Sequence, residues 1–321
     1  MVKKYRVFID GAVGTTGLQV RQRLDRHELI EVIDIDLSLR KDLKEKRALI
    51  ASADVTVLCL PDKAAEETVA LCDSTTTRFL DASSAHRTAA GWVYGLPELH
   101  REQRERIRGA RLVANPGCYA TGAVLLLRPL IDAALIGPAF FASLTAISGY
   151  SGGGKSFIDR YENTEHSQNP DYAMYGLSFD HKHIPEIQTW SLLKRRPLLL
   201  PSVGNFSQGM LVQMVVNHEL LSPGVDSGAL HTALKNRYAD ERFVEVMAHA
   251  KIDDIFAPFL TPHGLNGSNT VQIFCFGSSE FPQSLLVAKL DNLGKGASGA
   301  AVQNLNIMLG LPEAMAVDLT E

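Results

Sequence analysis

Residues 113–122 read VANPGCYATG, and the cysteine among them is the side chain best placed to do chemistry. Asn115 and Pro116 are helix start signals, and Ala120 through Leu130 read as helix. Cys118 therefore falls in a first helical turn, where unpaired N–H groups and the helix dipole favour a thiolate. The same N–H groups suit an oxyanion formed at a carbon bonded to the sulfur. The other three cysteines, Cys59 in LCLP, Cys72, and Cys275 in IFCFG, fit buried structural thiols. No C-x-x-C spacing occurs, so neither a disulfide framework nor a thiolate zinc site is expected.

A nucleophilic thiol needs a base, and DHKHIPEI offers His181 and His183 just ahead of a helix that Pro185 starts. Two histidines one residue apart would also suit a metal, but no third ligand stands near, and no metal is expected. An extended segment would put both rings on one face with Lys182 opposite, leaving open which ring approaches Cys118. DASSAHR supplies Ser83, Ser84, His86 and Arg87 in a loop, and Arg87 could grip a phosphate or carboxylate bidentately.

Three glycines, Gly11, Gly14 and Gly17, with Thr15 and Thr16 among them, sit between a strand and a helix. The spacing is not strict G-x-G-x-x-G, yet the context suits the pyrophosphate of a dinucleotide. At the end of the next strand Asp34 and Asp36 could hold a ribose hydroxyl, favouring NAD, whereas Arg40 and Lys41 could hold a 2′-phosphate, favouring NADP. Spacing does not decide between them. DNLGKGASGAAVQNLN, which contains Asn304, is a second glycine-rich approach to a helix and suits a position against a cofactor.

SGYSGGGKS satisfies the phosphate-loop pattern G-x-x-x-x-G-K-[ST] from Gly149 to Ser156. It lies mid-chain, away from the first strand. The best later aspartate-bearing strand, LLVAKLD, is interrupted by Lys289. The expected role is instead a glycine-rich approach to substrate near Cys118, with Lys155 adding positive charge.

These residues need elements to hold them. YRVFID, LIEVIDID, DVTVLCLP, TRFLDAS and RLVANPG read as strands separated by helical stretches, which implies a parallel sheet. The first helix, LQVRQRLDRH, carries Leu18, Val20 and Leu24 as its apolar residues. Beyond residue 118 strand-like runs dominate, so a mixed or largely antiparallel second sheet is expected. A last helix should place Ala301, Leu305 and Met308 on one face. The expected architecture is α/β plus α+β: a dinucleotide-binding domain over 1–117 completed by a helix in 298–321, and a second domain over 118–297.

With 321 residues, 45% hydrophobic and 21% charged, the chain reads as an ordinary globular protein. A net charge of −4 leaves no basic surplus for nucleic acid. The N-terminal apolar run is too short for a signal-peptide core, and no run approaches the ~18 residues of a membrane span. A soluble, cytoplasmic protein with no membrane partner is expected.

Taken together, NPGCYATG, DASSAHR, WVYGLPEL, SGYSGGGK, HKHIPEI, SVGNFSQGMLV and DNLGKGASGAAVQNLN resemble the N-acetyl-γ-glutamyl-phosphate reductases, in the shorter, type 2 branch. The resemblance runs from Gly11 to Gly310. It implies a Rossmann-like cofactor domain, a catalytic and dimerisation domain, a homodimer or homotetramer, and NADPH reduction of an acyl phosphate with release of inorganic phosphate. By the same resemblance Cys118 is the nucleophile and His181 the base, with Tyr175 six residues earlier. Substrate contacts are expected at Arg87, Asn115, Lys155, Tyr175 and His183, and cofactor contacts at the glycine turn, Arg40, Lys41, Ser83 and Asn304. Reductases of aminoadipyl or aspartyl phosphate are the same-class alternative, and a phosphate-loop nucleotide-binding protein is the alternative of another class.

Overall fold

The apolar runs of the first third fold into a parallel sheet. Strands β1 (Tyr5–Asp10), β2 (Ile30–Ile33), β3 (Val55–Leu58) and β4 (Phe79–Asp81) alternate with helices α1 (Thr15–Leu24), α2 (Leu43–Ser52) and α3 (Asp62–Ala70). A two-residue strand β5 (Val93–Tyr94), helix α4 (Gln103–Gly109) and strand β6 (Leu112–Ala114) follow. The order β2-β1-β3-β4-β6-β5 is parallel throughout. Sequence reading missed β5, which is too short to carry a pattern. All four residues of β3 are buried, as both-face coverage of a parallel sheet demands. In α1, Val20 and Leu24 are buried one turn apart, but Leu18 is 57% exposed. Leu18 lies off the stripe those two residues define.

The computed structural model describes residues 3–36, 38–40, 42–72, 76–163, 169–249, 259–278 and 280–319. The chain divides into two units, Met1–Pro116 with Ala297–Glu321, and Gly117–Gly296.

The second unit opens on α5 (Cys118–Asp132), then β7 (Ser143–Gly149), α6 (Lys155–Glu162), β8 (Tyr172–Met174), α7 (His183–Trp190), β9 (Leu198–Gly204) and β10 (Met210–Asn217). Helix α8 (Ser227–Tyr238) and strands β11 (Val244–Val246), β12 (Val271–Gly277) and β13 (Gln283–Leu290) complete it. The sheet order is β11-β12-β13-β10-β7-β9-β8, with β7/β9 and β11/β12 parallel and the other pairs antiparallel. Val212, Met214 and Val216 of β10 and Leu286, Ala288 and Leu290 of β13 alternate inward, toward α5. Pro129 inside α5 cannot donate to the Leu125 carbonyl. The Tyr238 hydroxyl donates to that carbonyl instead, at 2.8 Å.

Helix α9 (Gly299–Leu309) belongs to the first unit. All eleven of its residues are buried, so Ala301, Leu305 and Met308 do not mark a single inward face. Several of its polar groups find partners within the unit, as in Gln303 donating to Glu98 and Asn306 donating to the Met315 carbonyl. The buried His27 ring ties this helix to α1: Nδ1 accepts the Leu29 N–H at 3.2 Å, and Nε2 lies 3.1 Å from Asn306 Oδ1.

Burial holds the His27 pKa below its ordinary value, outweighing the Asn306 bond that raises it. The folded state thus resists a proton that the unfolded chain takes up below pH ~6.5. This contribution is complete above that pH and is lost as pH falls. Urea midpoints between pH 5 and 7.5 should therefore drop more steeply for the wild type than for His27→Gln. Equal slopes would remove His27 from the account.

Candidate active site

Cys118 is the first residue of α5, directly after the extended N-cap residue Gly117. No side chain caps this helix, so its first turn presents amide groups that lack intrahelical partners. The chain is held there from outside the helix. Glu186 of α7, 1% exposed, accepts the Gly117 N–H through Oε1 at 2.8 Å. Behind the nucleophile, a Cβ placed on Gly296 would lie 2.7 Å from Cys118 Cβ and 3.0 Å from the Asp291 carbonyl oxygen. Only glycine lets that strand of backbone pass.

The other three thiols are held in their protonated form. Burial, then Asp81 and Asp10, pushes Cys59 up to about 12, and burial with Asp226 pushes Cys275 up to about 12. Burial also raises Cys72. None of these three is primed as a nucleophile near neutrality.

His181 and His183 both come to this site. Their rings are 4.8 Å apart, and each stands edge-on to the Tyr119 ring at 5.7 Å. Tyr175 lies 5.9 Å from His181. The segment is not extended, the case in which both rings would share a face: Lys182 is helical in conformation, and α7 begins at His183, two residues before the expected start at Pro185. That turn lets the His183 N–H donate to His181 Nδ1 at 3.2 Å, which assigns the neutral His181 ring a proton on Nε2. His183 is buried at 4% exposure and His181 is partly open, so His181 is the ring with access to a bound molecule.

In the first unit, the glycine turn has distinct positions. A Cβ on Gly11 would meet the Cys59 carbonyl oxygen at 2.3 Å, and one on Gly17 would meet the Gly11 carbonyl oxygen at 2.3 Å. Gly14, the uncapped N-cap of α1, has no such neighbour, its nearest being 3.5 Å away. The chain's own packing does not require a glycine there, whereas a pyrophosphate approaching the N–H groups of Thr15, Thr16 and Gly17 would. Asn304 Nδ2 donates to the Gly95 carbonyl at 2.7 Å and to Asn115 Oδ1 at 3.0 Å, while the buried Asn304 Oδ1 has no partner among the described residues. An orphaned acceptor of this kind fits a ligand that brings an N–H. The turn and the orphan together fit a nicotinamide dinucleotide.

Other expected site residues fall variously. Ser83 builds its own loop, donating to Asp81 and accepting from the Ala85 N–H. Asn115 acts as an internal strut rather than presenting its amide to a substrate, since it donates to the Ala297 carbonyl and accepts from Asn304. The buried Arg87 donates from Nε to the Asn115 carbonyl at 3.1 Å. Asp34 is paired with Arg21 and Asp36 with Ser38, while Arg40 is exposed with no ion pair among the described residues. Lys41 lies outside the described residues.

The phosphate-loop pattern does run strand, turn, helix, from β7 through a tight turn at 150–153 into α6. Four of its eight amides are committed to carbonyls of the chain itself: Gly149 donates to the Gly209 carbonyl, Tyr150 to Phe206, Ser151 to Ser207 and Gly154 to Ser151. The first three bonds tie the glycine-rich turn to residues 206–209, a structural role for the pattern. Lys155 is exposed at the start of α6. Among the described residues no cluster of metal-ligating side chains occurs, and no helix is long and apolar enough to cross a membrane.

Two family models match the chain: the semialdehyde dehydrogenase NAD-binding domain over residues 6–107, and the semialdehyde dehydrogenase dimerisation domain over 118–292. N-acetyl-gamma-glutamyl-phosphate reductase 2 of Nostoc sp. is 48% identical over 98% of this chain and 99% of its own length. The chain belongs to the N-acetyl-γ-glutamyl-phosphate reductase family. The Brucella ovis member is 45% identical over 96% of this chain and 99% of its own. The family's fold is shared with aspartate semialdehyde dehydrogenases. That of Francisella tularensis superposes with a TM-score of 0.71 at 14% identity over 95% of this chain and 100% of its own. A Candida albicans counterpart determined with NADP gives 0.62 at 12% identity, over 96% and 99% of the two chains.

Sequence reading did not single out Glu186, Tyr119 or Gly296. Each sits inside a motif that was read for its neighbour: HKHIPEI for the histidines, NPGCY for the cysteine, and DNLGKGASG for a helix approach. The Gly296 contact yields a direct test. Gly296→Ala should lower turnover by about 10²-fold, because displacing a reacting atom by ~1 Å costs that much. Overpacking should cost stability only about 1–3 kcal/mol. Steady-state turnover beside a melting curve checks this, and full activity would show that the site yields without moving the sulfur.

Proposed function

We propose that this chain reduces N-acetyl-L-glutamyl 5-phosphate to N-acetyl-L-glutamate 5-semialdehyde with NADPH, in arginine biosynthesis. The observation that carries the reading is Cys118 at the uncapped start of α5, with the paired rings of His181 and His183 packed edge-on against the next residue, Tyr119. The family membership gives the substrate class.

In this mechanism the Cys118 sulfur attacks the acyl carbon of the substrate. The carbon–oxygen bond to phosphate breaks, inorganic phosphate leaves, and a thioester remains. When bound, the nicotinamide dinucleotide supplies the hydride. The amide groups at the start of α5 steady the oxyanion of the resulting thiohemiacetal. His181, with its proton on Nε2, donates a hydrogen bond to that oxyanion, which collapses as the carbon–sulfur bond breaks, releasing the aldehyde and returning Cys118 as the thiolate. Arg87 is assigned to the substrate's anionic groups, and Asn304 to an N–H of the cofactor.

NADP is the proposed cofactor. Asp34 and Asp36 already have partners, whereas the exposed Arg40 has no ion pair among the described residues. A homodimer or homotetramer built through the second unit is also part of this reading. It is supported by the matched dimerisation model and by Val215, 68% exposed on the sheet face turned away from α5.

Phosphate-dependent NADP reduction with N-acetylglutamate semialdehyde, run beside aspartate semialdehyde and the aminoadipate analogue, tests the substrate; preference for either alternative would reassign it. Cys118→Ser should lose activity by several orders of magnitude, since a serine hydroxyl is scarcely ionised near neutrality, while NADPH affinity stays unchanged. Retained turnover would move the nucleophile elsewhere. Arg40→Ala should weaken NADPH by about 1.5–3 kcal/mol through loss of a charge-assisted contact, with NADH hardly affected. Dissociation constants for both cofactors decide it, and equal losses would count against the 2′-phosphate assignment.

A further inference from the structure

Tyr119, the residue after the nucleophile, is buried, and its hydroxyl belongs to a chain with a fixed direction. The Ser202 carbonyl on β9 can only accept, so Tyr119 donates to it, at 3.2 Å. Having used its one proton, the Tyr119 oxygen accepts from the Tyr175 hydroxyl at 2.8 Å. Tyr175 has then used its own proton as well, and its oxygen can offer any third group only lone pairs. The polarity of the whole chain follows from one backbone carbonyl. Burial, with the Cys118 charge among the further causes, raises both phenols above their ordinary value, so both protons stay in place through the neutral range.

The ring of the same residue performs a second task. Its two edge-on contacts, at 78° to His181 and 62° to His183, fix the imidazoles against the helix whose first residue is Cys118. A buried tyrosine with a satisfied hydroxyl is ordinary core packing. Here, besides the Ser202 carbonyl and Ser148, it holds the side chains of Tyr175, His181 and His183, all packed on the residue that follows the nucleophile.

We infer that Tyr119 is a positioning residue: its ring braces His181 and His183, and its hydroxyl keeps Tyr175 turned to the site as a hydrogen-bond acceptor. An acceptor there suits a substrate carrying an N–H, such as an acylated amine. This rests on Cys118 and His181 acting as proposed above.

The experiment uses the full chain with Tyr119→Phe, Tyr119→Leu, Tyr175→Phe and the Tyr119→Phe/Tyr175→Phe pair. Turnover with N-acetylglutamate semialdehyde, phosphate and NADP is followed across pH, beside a melting curve for each protein. Tyr119→Phe should lower kcat by roughly 3- to 30-fold, the range expected for one hydrogen bond, and keep the shape of the pH profile. Tyr119→Leu should also shift the limb due to His181, because the brace is gone. The double variant should be no worse than Tyr175→Phe alone, since both changes break one chain. Multiplying losses, or variants with lowered melting temperature but unchanged kcat and pH profile, would overturn the inference. Should Tyr119→Leu not fold, the two phenylalanine variants and their pair still decide the matter for the hydroxyl. The unaltered chain separates the two readings. If it has no turnover, the functional proposal fails, and the pH dependence of Cys118 alkylation, resolved by peptide mass, tests Tyr119 in its place: equal midpoints for wild type and Tyr119→Leu would overturn it.

Discussion

The bond from the Gly117 N–H to the buried Glu186 carboxylate fixes where α5 starts. A helix that began one residue earlier or later would turn the sulfur by about 100°, since successive side chains are spread at 3.6 per turn. Glu186 lies three residues past His183 on α7, so the carboxylate that anchors the nucleophile's backbone shares a helical turn with the imidazole beside it. Position of the sulfur and position of the histidines are therefore one constraint. The close pass of Gly296 limits movement of Cys118 on a further side.

Much of this was readable beforehand where chemistry and local pattern coincide. Cys118 after Asn115-Pro116-Gly117 carries its own helix signal, and the strand–glycine–helix order at Gly11 to Gly17 declares a dinucleotide turn. What stayed hidden depends on residues far apart in the chain. Glu186 meets Gly117 across 69 positions, and nothing local distinguishes it from a surface glutamate. Ala301, Leu305 and Met308 do share one face of the last helix, but hydropathy does not show that the whole helix is buried: Gln303, Asn304 and Asn306 each donate to a partner inside the first unit, and burial there follows those partners. His183 opened its helix ahead of Pro185 because proline needs only a position whose N–H is unused, and the whole first turn offers that.

SGYSGGGKS shows how far a pattern can travel without its chemistry. Even the strand-to-helix context is present. Four of the pattern's eight amides donate to carbonyls of the chain itself and so hold the turn in place. Both α1 and α6 begin without a side-chain cap, so an uncapped helix start does not separate the two glycine-rich turns. Their place does: only the turn at Gly14 follows the first strand of the parallel sheet.

The first unit is discontinuous, and α9, buried on every side, is its final covering element. This has a consequence for the order of events on the ribosome. Residues 117–296 form a contiguous unit and emerge together, so they can complete their sheet as soon as β13 is out. The parallel sheet made earlier must wait, with the places for Asn304, Gln303 and Asn306 empty, until α9 has emerged. The unit begun first is thus closed only after the second has been translated, and for that interval its uncovered apolar surface is a natural client for a chaperone.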